Sequence, residues 1–142
     1  MRCSCPWADE DHTGFAPTAA SGADIAAIAE GYKVDLPADY VTFLEHHDGA
    51  ELTGDDITVK VFSAAELHMD LPLFAALRKK AKAPKLVVFG SNNDGELLVF
   101  DYHHDPIRIS MIPVADFGYD DLMPVAATFD ALLRRHGHLG PL

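Results

Sequence analysis

The residues best suited to acid–base chemistry or metal binding lie between positions 101 and 105. Asp101 precedes His103, His104 and Asp105. An imidazole titrates near neutral pH, so this group could transfer protons or hold a divalent cation. The alternative is a polar hairpin tip. We favour the tip, because neither a G-x-S-x-G nor an H-E-x-x-H motif accompanies these residues, and we predict no catalytic residue.

A second candidate for metal binding is the pair Cys3 and Cys5 together with His12. They would supply three soft ligands, whereas a closed zinc site takes four, usually with wider spacing between the cysteines. Two cysteines separated by one residue also cannot crosslink distant elements. The sequence therefore predicts a chain from a reducing compartment with no metal and no other cofactor.

Two further groups of histidines and acids depend on secondary structure. Glu66, His68 and Asp70 would share one face of a strand, where they could bind a cation, but they scatter on a helical turn. We favour the helical turn. His46 and His47 would lie about 100° apart on a helix, so they cannot face one ion. We interpret His47 as a histidine of the core or its rim.

Acidic residues dominate the charge of the chain. The 142 residues include 22 Asp and Glu against 11 Lys and Arg, a formal net charge of -11. Carboxylates set among aromatic rings suit a protein interface, where the rings bury area and the acids steer a partner. The alternative is a solvated loop surface. The residues we predict to bind a partner are Asp48, Glu51, Asp55, Asp56, Asp94, Glu96, Asp116, Phe117, Tyr119, Asp120 and Asp121. We hypothesise that the loops carrying them converge.

Basic residues concentrate in one run. Outside it, 6 basic residues face 22 acidic ones, a net charge of -16. Nucleic acid is therefore not an expected ligand, since phosphate binding requires clustered Lys and Arg. A basic protein partner is favoured instead. The run consists of Arg78, Lys79, Lys80, Lys82 and Lys85.

These residues must be positioned by helices and strands whose periodicity is visible in the sequence. Apolar side chains at helical spacing predict four helices. The first lies between Ser21 and Gly31, and the second runs from Leu36-Pro37 to Asp48-Gly49. The third runs from Leu71 to Lys82 after one turn at 63–69, and the fourth from Val125 to Leu133 behind Pro124. Alternating or short apolar runs predict strands at 57–62, 86–89, 96–102 and 107–112.

The order of these elements predicts one α+β domain. Strands joined by short loops form an antiparallel sheet of about four or more strands, which helices cover on one side, leaving the other face wholly or partly open. Residues 1–20 lack apolar periodicity and are predicted to be an irregular tail, so the domain spans 21–142. The sequence contains neither a signal peptide nor an apolar segment long enough to cross a membrane, and we expect a cytoplasmic protein.

Four stretches together resemble the SUKH superfamily, which includes bacterial toxin-immunity proteins and a Smi/Knr-type fungal regulator of cell-wall assembly. The resemblance covers about residues 22 to 136. The specificity of the resemblance comes from the order and spacing of the stretches, since Leu-Pro before a helix and Asp-Gly after one are common boundary residues. The stretches are Ala29-Glu30-Gly31 with 36–40, Phe43-Leu44 through Asp48-Gly49, the hairpin at 88–101, and Thr128 to Leu133 in the final helix.

The resemblance implies a binding domain without catalytic residues. Its bacterial members commonly bind and neutralise a cognate toxin, so we expect an immunity protein whose partner is another protein, with a basic toxin domain as one candidate. An adaptor or regulator of the Smi/Knr type is the alternative. A metal-dependent hydrolase built on His103, His104 and nearby acids is the second alternative.

Overall fold

A computed structural model describes residues 18–53, 58–92, 95–115, 118 and 122–134 of the chain. Within these residues, helices and strands follow one another without a repeat. In chain order they are α1 (Gly22–Tyr32), α2 (Ala38–Leu44), β1 (Ala50–Thr53), β2 (Thr58–Val61), α3 (Ala64–Ala81), β3 (Leu86–Ser91), β4 (Glu96–Asp101), β5 (Arg108–Pro113), β6 (Met123–Ala126) and α4 (Phe129–Arg134).

The strands form one curled antiparallel sheet whose order across the sheet is the order along the chain. Each strand pairs antiparallel with the next, so β1 and β6 are its edges. Helices pack against this sheet. The predicted α+β class, with an antiparallel sheet of four or more strands and a helical cover, is confirmed.

Neither edge strand was predicted from the sequence. β1 has only four residues, so the alternation of buried Ala50 and Leu52 with exposed Glu51 is too short to predict a strand. In β6, Val125 and Ala126 were assigned to the last helix because Pro124 resembles a helix start. The structure instead pairs Ala126 with Ile109 of β5. A proline is tolerated there because an edge strand leaves one row of N–H groups unpaired.

Helix α1 begins where the sequence predicts, with the Ser21 hydroxyl accepting a hydrogen bond from the Asp24 N–H at 3.0 Å. It does not end at Gly31. The left-handed residue that closes the helix is Lys33, with φ 58°. Gly31 instead lets α1 approach α3, since a Cβ at that position would lie 2.6 Å from Cδ1 of Leu71.

Helix α3 is continuous, although the sequence predicted one turn at 63–69 and a separate helix from Leu71 to Lys82. Ser63 and Glu66 form a reciprocal capping box at its start, which satisfies two backbone N–H groups. Pro72 lies within the helix on its exposed side. Proline has no N–H to bond to the carbonyl of His68, but water can bond to that carbonyl instead.

The core is built around aromatic rings that α2 and α4 place on the sheet. Tyr40 and Phe43 come from α2 and Phe129 from α4, and their rings lie within 5–6 Å of one another or of the strand residues Phe89 and Phe100. Edge-on and tilted rings at these distances add to the stabilisation from burial of apolar area. This cluster fixes the helices on one face of β3 and β4.

The other face of the central strands is not open, contrary to the prediction. Successive side chains of a strand point to opposite faces. Val88, Val99 and Ser110 are cross-strand neighbours facing away from Phe100, and each is 0% exposed. Runs of five buried residues in β3 and β4 and of four in β5 therefore show that both faces are covered, and continuous apolar runs such as 86–89 are typical of that arrangement.

Candidate partner-binding surface

The connections that carry most of the predicted acids start and finish at one end of the sheet. Because the strands alternate in direction in sheet order, the β1–β2, β3–β4 and β5–β6 connections all leave from the same end. The described strand ends agree, since Lys60 of β2 pairs with Ser91 of β3, and Glu96 of β4 pairs with Pro113 of β5. We call this end of the sheet the acidic end.

Most of the predicted binding residues lie outside the described residues. The convergence of their side chains therefore stays a prediction, and the described part contributes only the strand ends that flank them. The residues concerned are Asp55, Asp56, Asp94, Asp116, Phe117, Tyr119, Asp120 and Asp121.

Glu96 lies at the acidic end and is tied to the base of its hairpin. Its Oε1 accepts a hydrogen bond from Nδ2 of Asn92 at 2.9 Å, and its N–H donates to Oδ1 of Asn92 at 3.2 Å. Gly95, with φ 85°, lies in this turn, and its carbonyl accepts a bond from the N–H of Val114 at 2.9 Å. These bonds join the β3–β4 hairpin to the end of β5 and hold the Glu96 carboxylate in place.

Asp48 lies elsewhere and has a structural role. It precedes β1, at the end of that strand opposite to the acidic end, and its Oδ1 accepts a hydrogen bond from the N–H of Ala64 at 2.7 Å. That N–H belongs to the first turn of α3, where backbone donors lack intrahelical partners and a negative charge is favourable. Gly49, with φ 104°, follows it and lies against the backbone of Val61. The structure therefore separates Asp48 from the other predicted residues.

Glu51 is exposed on the edge strand β1. Its cross-strand neighbour is Lys60, whose Nζ lies 2.7 Å from Oε2 of Glu66 in an ion pair. Of the three predicted binding residues that the structure describes, Glu51 and Glu96 thus belong to the sheet, on β1 and β4, while Asp48 precedes β1 and bonds to the start of α3.

The histidines of the segment 101–105 bond to the backbone. The Nε2 of His103 accepts a hydrogen bond from the N–H of Lys85 at 3.2 Å, and the N–H of His103 donates to Oδ1 of Asp101 at 2.9 Å. Nδ1 of His104 lies 2.7 Å from the carbonyl of Pro106. The segment is a turn between β4 and β5, as predicted.

The other candidate metal ligands are also separated by secondary structure. Glu66, His68 and Asp70 lie on α3, where their spacing does not bring them to one point. His47 is buried with its ring centre 5.6 Å from that of Phe43, while Nδ1 of His46 lies 2.9 Å from the carbonyl of Thr42. In the described part of the chain, no three His, Cys, Asp or Glu side chains are grouped as a metal site requires. Cys3, Cys5 and His12 lie outside it.

A second charged surface, which was not predicted from the sequence, lies where α1 and α3 end. Lys33 follows α1, Arg78 belongs to the last turn of α3, and Lys85 precedes β3. All three line one groove with Tyr102, whose hydroxyl donates to the carbonyl of Asp35 at 2.6 Å. Burial, and secondarily the Asp35 charge, raises the pKa of Tyr102 to about 12. The basic run was visible in the sequence, but its closeness to Lys33 depends on the packing of α1 on α3.

Comparison with known proteins identifies the family of the chain. The family model described as SMI1 / KNR4 family (SUKH-1) matches residues 19–135. No curated protein matches the sequence. Among the helices that the structure describes, none is both long and apolar enough to cross a membrane. With most of its length matched and the expected sheet and helices in place, the chain belongs to the SMI1/KNR4 (SUKH-1) family.

Proposed function

We propose that this chain is an immunity-type protein that binds a cognate bacterial toxin and neutralises it by covering the toxin's working surface. The SMI1/KNR4 family contains both immunity proteins and regulators. One observation supports the proposal. The three connections that carry the predicted acids all leave the sheet at the same end.

The dimensions of this end suit a protein partner. Neighbouring strands lie about 4.8 Å apart, so six strands span about 24 Å. A stable protein interface buries about 800 Å² on each partner, which corresponds to a patch of similar width. A surface of this size is large enough to cover the active cleft of a small enzyme, and occlusion needs no chemistry from the covering protein.

The charge of the chain favours a basic partner. The formal net charge is -11, and the sequence places five of the predicted acids, with two aromatic rings, in the connections at 54–57 and 116–121. Carboxylates in such a patch attract a cationic surface over about one Debye length and raise the association rate. A nuclease whose cleft carries Lys and Arg for phosphate binding is the kind of toxin that this patch fits, because the acids occupy the sites of the phosphates.

The described histidines do not point to an alternative based on catalysis. His103 accepts a hydrogen bond from a backbone N–H, and His46 and His104 lie at hydrogen-bonding distance from backbone carbonyls. A general base must instead reach a substrate proton. The proposal therefore assigns the chain a binding role only.

The decisive experiment combines a growth assay with association kinetics. Co-expression with the product of the neighbouring reading frame tests whether the chain rescues growth. The variant Asp55→Asn/Asp56→Asn/Asp120→Asn/Asp121→Asn removes four carboxylates from the predicted surface. At low salt we expect this variant to associate with the toxin roughly tenfold more slowly than the unmodified chain does. The association rate of the variant should also depend less on salt concentration.

A matched control removes the same amount of charge elsewhere. Asp24→Asn/Glu30→Gln/Glu45→Gln/Asp70→Asn neutralises four exposed carboxylates on or beside α1, α2 and α3. If only the net charge of the chain mattered, both variants would associate with the toxin equally slowly. That result would contradict a localised binding surface. Absence of both rescue and binding would contradict the immunity role.

A regulator that binds an endogenous protein is the second candidate function, and the family match favours it because the same family includes such regulators. Purification of the tagged chain from cells that lack the toxin gene distinguishes the two. A stoichiometric endogenous partner, lost in the four-carboxylate variant of the acidic end, would favour regulation.

A further inference from the structure

The C-terminal ends of α1 and α3 enclose the groove lined by Lys33, Arg78 and Lys85. Its volume is about 670 Å³, within the range of pockets that hold peptides or small molecules. Val34 and Tyr102 add apolar surface to its wall. The described residues lining it include three cations and no carboxylate. We call this feature the basic groove.

Arg78 is held in a fixed position on the wall of the basic groove. Its Nε donates to the carbonyl of Phe74 at 3.4 Å and its Nη1 to the carbonyl of Pro84 at 3.3 Å. Its guanidinium lies 4.7 Å from the ring centre of Tyr32, in a cation–π contact. The Tyr32 hydroxyl in turn donates to the carbonyl of Val88 at 2.8 Å. A guanidinium has five N–H donors, so three remain for a ligand.

Lys33 reaches the groove from a backbone conformation that favours glycine. Lys33, with φ 58°, and Lys82, with φ 54°, are the residues other than glycine that have positive φ in the described part of the chain. Each closes a helix, α1 or α3 respectively. A side chain in this conformation costs roughly 1–2 kcal/mol relative to its ordinary backbone geometry. The chain thus carries lysine, at a cost in stability, where glycine would fit without strain.

The cations of the basic groove have no acidic partner within the described residues. None of Lys33, Arg78 and Lys85 is in an ion pair with a described residue, whereas Lys60 forms one with Glu66. The chain has 22 carboxylate side chains against 11 cations, so internal partners are plentiful in the sequence. Glu30 and Asp35 line a shallower depression beside Lys33, yet neither forms an ion pair with it. The charge of the groove is consequently available to an external anion.

We propose that the basic groove binds an acidic peptide segment of a partner protein. Arg78 receives one carboxylate through two parallel N–H donors, which its planar guanidinium presents in the geometry of a carboxylate. Lys33 and Lys85 attract the neighbouring acids from the rim, and Val34 with Tyr102 packs an apolar side chain between them. This site lies apart from the acidic end and has the opposite charge, so it goes beyond the proposed function and does not depend on it.

Other anions fit the groove less well. A nucleic-acid strand presents a phosphate at every nucleotide, and its binding requires more clustered Lys and Arg than the three cations of the groove supply. A free phosphate is bound in proteins by several convergent backbone N–H groups, often at a helix N-terminus. Here the helices present their C-terminal ends, which expose carbonyl groups rather than N–H donors. A segment that spreads its charge and brings apolar side chains matches the lining better.

The experiment measures fluorescence anisotropy of a fluorescein-labelled octaglutamate peptide with the full chain at low ionic strength. Octalysine and a single-stranded oligothymidylate of similar length are the comparison probes. The variant Lys33→Gln/Lys85→Gln removes two exposed cations that line the groove. Its matched control, Lys79→Gln/Lys80→Gln, removes two exposed cations of α3 that do not line it.

We expect the groove variant to bind octaglutamate about five- to tenfold more weakly, and the control less than about twofold more weakly. Equal losses in both variants, or no binding by the unmodified chain, would overturn the proposal. Tighter binding of the oligothymidylate would assign the groove to nucleic acid instead. A salt-sensitive dimer of the unmodified chain, abolished by Lys33→Gln/Lys85→Gln, would show that a second copy occupies the groove and would equally overturn it. Unchanged thermal unfolding of both variants verifies that the fold is intact.

Discussion

The two ends of α3 carry charges of opposite sign that are used in different ways. At the N-terminal end, the Asp48 carboxylate accepts a bond from the N–H of Ala64, and Glu66 bonds to Ser63 and Lys60. At the C-terminal end, Arg78 bonds to two carbonyls but to no carboxylate among the described residues, and Lys85 forms no ion pair there.

The helix dipole accounts for the sign of the charge at each end but not for this difference. Acids near a helix N-terminus and cations near a C-terminus are both favourable by about 0.3–1 kcal/mol. What differs is whether another element supplies a partner. Charges that are satisfied internally should affect folding when they are removed, whereas charges without internal partners should affect binding. Each prediction below tests that division.

The largest effect is expected from Asp48→Ala at the N-terminal end of α3. The substitution leaves the Ala64 N–H without its acceptor and removes a charge-assisted hydrogen bond, which costs about 1.5 kcal/mol. For a domain of this size, the melting temperature should fall by about 5 °C. Thermal unfolding followed by circular dichroism measures it.

Asp48→Asn is the control for Asp48→Ala, since it keeps an acceptor oxygen without the charge. It should lose less than half as much stability. If instead Asp48→Ala left the melting temperature unchanged and slowed association with a toxin, Asp48 would belong to the partner-binding surface, as the sequence alone suggested.

Asp48 illustrates how far the sequence could predict the structure. The pair Asp48-Gly49 was predicted to end the second helix, but α2 ends at Leu44, and Gly49, with φ 104°, marks the boundary before β1 instead. The acceptor role of Asp48 could not be predicted, since Ala64 is 16 residues away and reaches it only after β1 and β2 pair. Local chemistry identifies a boundary, whereas a long-range partner depends on how the elements pack.

The strands show the same limit. The four strands predicted from apolar patterns exist, with ends shifted by one or two residues. β6 was mistaken for helix because Val125 and Ala126 fit either spacing, and only the pairing of Ala126 with Ile109 decides. The basic groove escaped prediction for a related reason, since Lys33 and Lys85 are 52 positions apart in the sequence. The basic run was visible, but the concave surface was not.

The next effect, smaller and opposite in sign, is expected from Lys33→Gly at the edge of the basic groove. Glycine adopts the left-handed conformation of residue 33 without strain, although it gains freedom in the unfolded chain. The free energy of unfolding should rise by about 0.5 kcal/mol. Affinity for octaglutamate should fall in the same variant, because a cation of the groove is lost. Chemical denaturation and anisotropy measure the two quantities.

Lys33→Ala separates strain from charge. Alanine removes the ammonium but keeps a Cβ in the left-handed region, so binding should weaken without a gain in stability. If Lys33→Gly and Lys33→Ala were equally stable, the backbone conformation of residue 33 would impose no strain. If both bound octaglutamate as well as the unmodified chain, Lys33 would not contribute to the groove.

The smallest effect is expected from Glu66→Gln. Burial alone would raise the pKa of this carboxyl, but the hydrogen bond from Lys60, the bonds with Ser63 and the Lys60 charge outweigh it and hold the pKa below its ordinary value. A carboxyl whose pKa is lowered by folding stabilises the folded state above its unfolded pKa, about 4.3, and loses that contribution as the pH falls through the folded value. The pair is more than one-third exposed, with side chains 36% and 42% accessible, so its contribution is about 0.3 kcal/mol.

Unfolding by urea at pH 7 and at pH 3 measures this contribution. The difference in stability between the unmodified chain and Glu66→Gln should be present at pH 7 and largely gone at pH 3. Lys85→Gln is the matched control from the opposite end of α3, where a charge without an internal partner should leave stability unchanged at both pH values while weakening peptide binding. A loss of stability in Lys85→Gln equal to that in Glu66→Gln would contradict the division between the two ends, because it would mean that the cations of the basic groove are already used within the fold.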